Sequence, residues 1–213
     1  MRPDQVTAWL SDARFEAFLE ACEREHERAA SLYFWNASVS SAFMEVLHHL
    51  EVLLRNAIDR QFPWSKSDLT LSICDSSVWL CDPSLLSEES RERVNDALCR
   101  LEREGRTTTR GRVIAALSFG FWRALFGGRY ENLWRSHLAR AFPHGNGRRS
   151  EVNRLITPIM HFRNRVAHHE AVFSVDLRAE HDRVLALAEI IDREAKSQIA
   201  ELSRVNEVLD ERP

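Results

Sequence analysis

Glycine and proline are scarce, seven and six in 213 residues. A sandwich or barrel of many tight turns needs more of both, so a helical composition is favoured. Cysteine is equally sparse. Cys22, Cys74, Cys81 and Cys99 lie far apart with no C-x2-C pair, which excludes a disulfide framework or zinc ribbon and predicts free thiols. No long apolar run is present. The most apolar stretch, Val113 to Phe126, is broken by Ser118, Gly120 and Arg123 and falls short of the roughly 20 residues that span a bilayer. It is predicted as a buried core helix, and no membrane partner is expected. The first twenty residues carry Asp4, Asp12, Glu16 and Glu20, a pattern unlike a signal peptide, so a cytoplasmic protein is expected. An excess of positive charge is missing too: a formal net charge of -3 excludes a globally basic nucleic-acid binder, leaving local patches.

What is present is an ordinary globular composition, 44% hydrophobic and 29% charged, long enough for one sizeable core. A single domain over residues 1–213 is expected, with its core at about 30–205. Asp12 to about Phe62 is predicted as a hairpin of two long helices, broken at Trp35-Asn36-Ala37-Ser38, where Asn36 or Ser38 would cap the second. Residues 62–87, with Pro63, Pro83 and several Ser and Asp, are expected as a long connection or insertion. A helical period resumes from Leu85 to Arg103, and Gly127-Gly128 stops the core helix. A short helix is expected from Tyr130 to Phe142, then one from Ser150 to about His168 that Pro158 should kink or interrupt. Val184, Leu187, Ala188, Ile191, Ala195, Ile199 and Leu202 recur at mostly three- and four-residue intervals, predicting an amphipathic helix that closes the bundle.

The most informative run is Phe162-Arg163-Asn164-Arg165-Val166-Ala167-His168-His169-Glu170. It concentrates functional groups where structure alone needs none. In a regular helix Asn164 and His168 share a face, whereas Arg163 and His168 point about 140° apart. Arg163 must therefore use its long reach, a helix end near His168, or a second subunit. Histidine is the commonest general acid or base, which suits His168 to proton transfer. The fork of donors on Arg163 suits anionic oxygens, and Asn164 can orient the histidine or bind such an anion. A helix-end histidine beside a surface arginine is the bland alternative for the motif in isolation.

Arg163-Asn164 to His168 resembles the R-x4-H motif of the HEPN superfamily, residue for residue. The wider sequence is similar to its Abi-like branch, associated with abortive phage infection. That similarity is carried also by Tyr33-Phe34-Trp35-Asn36, by Leu50-Glu51-Val52-Leu53-Leu54-Arg55-Asn56 and by Leu117-Ser118-Phe119-Gly120-Phe121-Trp122. The resemblance implies an all-α, HEPN-type helical bundle with extra N-terminal and C-terminal helices. It further implies a homodimer that juxtaposes two motifs and cleaves RNA without metal or other cofactor, in phage defence or as a toxin with an antitoxin or other regulatory partner. Some branches place tyrosine two residues after the histidine as a site for nucleotidyltransferase control; Glu170 stands there, which puts that control in doubt.

A second constellation, Glu51, Arg55 and Asn56, lies beside an apolar stripe of Met44, Leu47, Ile58 and Phe62. Glu51 and Arg55 are spaced for an i,i+4 ion pair. They either line the cleft of the Arg163 helix or fix the register of the bundle, two alternatives of equal weight. His169 is a further candidate for a supporting role. His48-His49, His181-Asp182 and His161 match no recognised metal-ligand spacing, and Gly127-Gly128 lacks the Lys and Ser/Thr of a P-loop. The tryptophans, Trp79, Trp122 and Trp134 among them, are expected as core or interface anchors. The rival to an enzyme is a non-catalytic HEPN-like module that binds RNA or a partner protein through the same basic cleft.

Overall fold

The computed structural model describes residues 10–63 and 78–213. Among these the protein is all-α, with no strand. Its helices are α1 (Asp12–Ala21), α2 (His26–Asp59), α3 (Glu88–Arg103), α4 (Arg110–Ala116), α5 (Phe119–Ala124), α6 (Glu131–Ser136), α7 (Arg149–Ala167), α8 (Leu177–Ile191), α9 (Arg193–Leu202) and α10 (Val205–Asp210). None of them is long and apolar enough to cross a membrane.

Helix α2 is the axis of the bundle. It runs for 34 residues, about 50 Å at the usual rise, and packs against α1, α7, α8 and α10. Val39, Phe43, Val46, Leu50, Leu54 and Ile58 recur at three- and four-residue steps and are all buried, giving the apolar stripe on which the other helices close. Phe43 meets Phe162 of α7 edge to face at 4.7 Å between centroids. At the near end of α2, Trp35 donates its indole N–H to the Val208 carbonyl at 2.7 Å, fixing α10. At the far end Asp59 forms a buried ion pair with Arg110 of α4 at 2.7 Å and accepts the Trp79 indole N–H at 2.9 Å. Arg110 also donates to the carbonyls of Asp59 and Pro63, so the C-terminal carbonyls of α2 gain a cationic partner.

Several boundaries differ from those expected. The hairpin break lies at Glu23-Arg24, both at positive φ (53° and 65°), and not at residues 35–38. Asn36 and Ser38 therefore cap nothing, because α2 runs straight through them. The segment Val113 to Phe126 is mostly buried but is two short helices: Leu117 is extended and Ser118 accepts the Phe121 N–H to start α5. A hydroxyl satisfying a free helix-start donor explains that break. Residues 130–142 split likewise into α6 and 3-10 turns at Gly128–Tyr130 and Leu138–Ala141. Asp192 divides the closing helix by accepting the Ala195 N–H at 2.9 Å. Pro158 sits inside α7 without ending it. The expected connection at 62–87 falls largely outside the described residues; of its remainder, Val78, Trp79 and Leu80 are buried. Trp122 and Trp134 are core residues too, and Cys22 and Cys99 are free thiols.

Candidate functional site

Helix α7 brings the R-x4-H run to the flank of α2. Its apolar face, Val152, Leu155, Ile156, Ile159, Phe162 and Val166, is buried, which leaves the residues between them to border the seam with α2. Arg163 is half-buried there. It lines a groove of about 170 Å³ with Met44, Leu47, His48, Glu51, Val52 and Arg55. The sequence alternative that set Glu51 and Arg55 beside the Arg163 helix thus has a geometric counterpart. The expected Glu51–Arg55 ion pair does not form: neither side chain makes a salt bridge or hydrogen bond with the described residues, and the Arg55 Nε is buried without a partner. Glu51 and Arg55 are both half-buried, and Asn56 is exposed on the same helix outside that groove.

Helix α7 ends at Ala167, with His168 as its C-cap at φ -89° and ψ 8°. Asn164 and His168 are both exposed, and neither lines the Arg163 groove. Their side chains make no hydrogen bond or ion pair among the described residues. Within one chain the motif is therefore divided: the guanidinium lies in the α2–α7 seam and the amide and imidazole lie on the outer face.

The chain then turns sharply. His169 adopts φ +57°, while its N–H bonds the Val166 carbonyl at 3.0 Å and the Glu170 N–H bonds the Arg165 carbonyl at 2.9 Å. This pair of bonds is a Schellman close, whose left-handed position usually holds glycine. Three side chains fix the turn. Arg14 of α1 donates to the His169 carbonyl, Arg165 pairs with Glu170 at 3.3 Å, and Asn36 of α2 clamps both sides of Ala171. The Asn36 Oδ1 accepts the Val172 N–H at 2.8 Å and its Nδ2 donates to the Glu170 carbonyl at 3.5 Å. Asn36 is one of two cap candidates the sequence offers, with Ser38, but its partners lie more than 130 positions away.

Beside this turn lies a larger groove, about 810 Å³, walled by α1, α2 and the end of α7. His169 lines it together with Arg14, Tyr33, Asn36, Ser41 and Met44. Met44 borders both grooves, which makes them neighbours along one face of α2. This second groove was not foreseen, because a left-handed histidine is visible only once the turn is folded. No group of three or more His, Cys, Asp or Glu among the described residues is arranged to hold a metal ion. No protein-family model, no curated protein and no solved structure matches the chain.

Proposed function

We propose that the protein is a metal-independent endoribonuclease of the HEPN type, acting as a homodimer in phage defence or as the toxin of a toxin-antitoxin system. The observation that carries this reading is the groove between α2 and α7 that holds Arg55 and Arg163, two guanidinium groups with no salt bridge among the described residues, beside the Asn164 and His168 end of α7. Unpaired arginines in a partly desolvated groove are suited to phosphate oxygens. The split of the motif supports a composite site: Arg163 and His168 project about 140° apart, so one phosphate meets both most simply when a second copy supplies one of them.

In the reaction His168 takes the proton of a ribose 2'-hydroxyl, the 2'-oxygen attacks the adjacent phosphorus, and Arg163 stabilises the charge gathering on the equatorial oxygens. The P–O5' bond breaks and the leaving 5'-oxygen takes a proton from water, leaving a 2',3'-cyclic phosphate and a 5'-hydroxyl. Asn164 orients His168 or the phosphate. Glu51 and Arg55 shape the groove around Arg163. Incubating the wild type and His168→Ala with total RNA in EDTA tests this: cleavage by the first and not the second is expected.

The exposure of Asn164 and His168 outside the groove favours a second reading, a non-catalytic HEPN-like module that binds RNA or a partner protein through the basic groove. RNA retention without cleavage by the wild type selects it.

A further inference from the structure

The larger groove is built unlike a protein-packing remnant. Its lining combines the phenol of Tyr33, the hydroxyl of Ser41, the imidazole of His169 and the guanidinium of Arg14, and contains no carboxylate. That chemistry repels neither RNA nor a neutral planar ring, and a phenol and an imidazole offer faces for stacking as well as edge donors and acceptors. A volume of about 810 Å³ is within the usual range of small-molecule sites, roughly 300–1,000 Å³. It is also adjacent to the groove of Arg163. Met44 is common to both, and Ala167, which lines the larger one, is one helical turn, about 6 Å, beyond Arg163.

The backbone at His169 adds an independent observation. Helix α3 closes with the same bonds, Arg106 N–H to the Leu101 carbonyl and Gly105 N–H to the Glu102 carbonyl, both at 2.9 Å. There the left-handed residue is Gly105, at φ +66°. In α7 the equivalent position carries a histidine at φ +57°, a conformation that costs a side chain free energy glycine does not lose. Glu23, which closes α1 with the same pair of bonds, and Arg24 take such angles as well, but both lie in an exposed turn outside this groove. At His169 the strained position places an imidazole in the wall of the 810 Å³ groove, the kind of outlier from which a functional role is inferred.

We infer that this groove is a nucleobase subsite, in which His169 reads one base of single-stranded RNA beside the scissile phosphate. The inference rests on the ribonuclease reading for its substrate class, but its test does not need cleavage. AMP, GMP, CMP and UMP are titrated into the full-length protein, with binding followed calorimetrically and located by NMR shifts. One base is expected to bind roughly tenfold more tightly than the poorest, the discrimination that a few edge hydrogen bonds supply. His169→Gly is expected to melt about 2–4 °C higher, because the turn is relieved, while losing that preference. Ala37→Trp, on the exposed wall of the groove, is expected to abolish binding. The inference is overturned if the four nucleotides bind equally or not at all, if His169→Gly keeps the preference, or if it melts lower and so marks His169 as structural. Cleavage of RNA without base preference sinks the subsite and leaves the ribonuclease standing; selective mononucleotide binding without any cleavage does the reverse.

Discussion

The carboxamide oxygen of Asn36 accepts the backbone N–H of Val172 at 2.8 Å, tying the N-terminal third of the longest helix to the turn that follows the R-x4-H run. Both groups are buried. Replacing Asn36 with Leu leaves the Val172 N–H without a partner, at a cost of about 1–3 kcal/mol. Urea denaturation should show that loss. Asn36→Asp, which keeps an acceptor for Val172, should lose less.

The Asp59–Arg110 pair predicts a larger effect. Arg110 is 1% exposed, and truncating one member of a buried ion pair strands the other, typically at about 3–5 kcal/mol. Arg110→Met should therefore fall in that range in the same assay. The double variant Asp59→Asn with Arg110→Met should recover part of it, since no charge remains buried.

Stability should fall as the solution is acidified. Burial holds the imidazole of His181 below its ordinary 6.5, with Asp182 opposing in part, and burial followed by Arg140 lowers His137. Both histidines bind a proton less readily folded than unfolded, so stability is fully present above about 6.5 and declines as pH drops below it. Melting temperatures between pH 7.5 and 5.5 should trace that decline. His181→Gln, which preserves a partner for the Ser203 hydroxyl 2.8 Å away, should flatten it. Glu45 and Glu131, lowered from 4.5 by hydrogen bonds from Arg204 and Arg149 respectively, add a further loss only below that value.

Arg55 lines the groove of Arg163 with its Nε unpartnered, and no ion pair to Glu51 exists to be broken. Arg55→Ala should leave melting nearly unchanged while lowering RNA cleavage about 10²-fold, the order of magnitude of one lost oxyanion-stabilising donor. Melting that collapses with residual cleavage would instead assign Arg55 to bundle register.

Much of the architecture was legible because it follows from local rules. Scarce glycine and proline pointed to helices, and the placement of Glu51 and Arg55 beside the Arg163 helix was one of two alternatives of equal weight. What was not legible depended on distant partners. Asn36 looked like a cap because asparagine favours helix ends, yet its amide is satisfied by backbone groups of residues 170 and 172, which leaves α2 unbroken. The true break carries Glu23 and Arg24 in place of glycine, so no breaker signalled it. Leu117-Ser118 and Asp192 were hidden in apolar periods that continue across them. The expected Glu51–Arg55 pair fitted the spacing, but both side chains border the groove of Arg163 without an ion pair between them.

The central claim is tested most directly by the ends of the RNA fragments that the purified wild type produces in EDTA. The account predicts 2',3'-cyclic phosphate and 5'-hydroxyl ends, resistance of a substrate carrying a 2'-deoxy group at the cleaved position, and loss of about 10² to 10⁴ in rate for His168→Ala. Cleavage that required magnesium, left 5'-phosphate ends, or persisted in His168→Ala would contradict it.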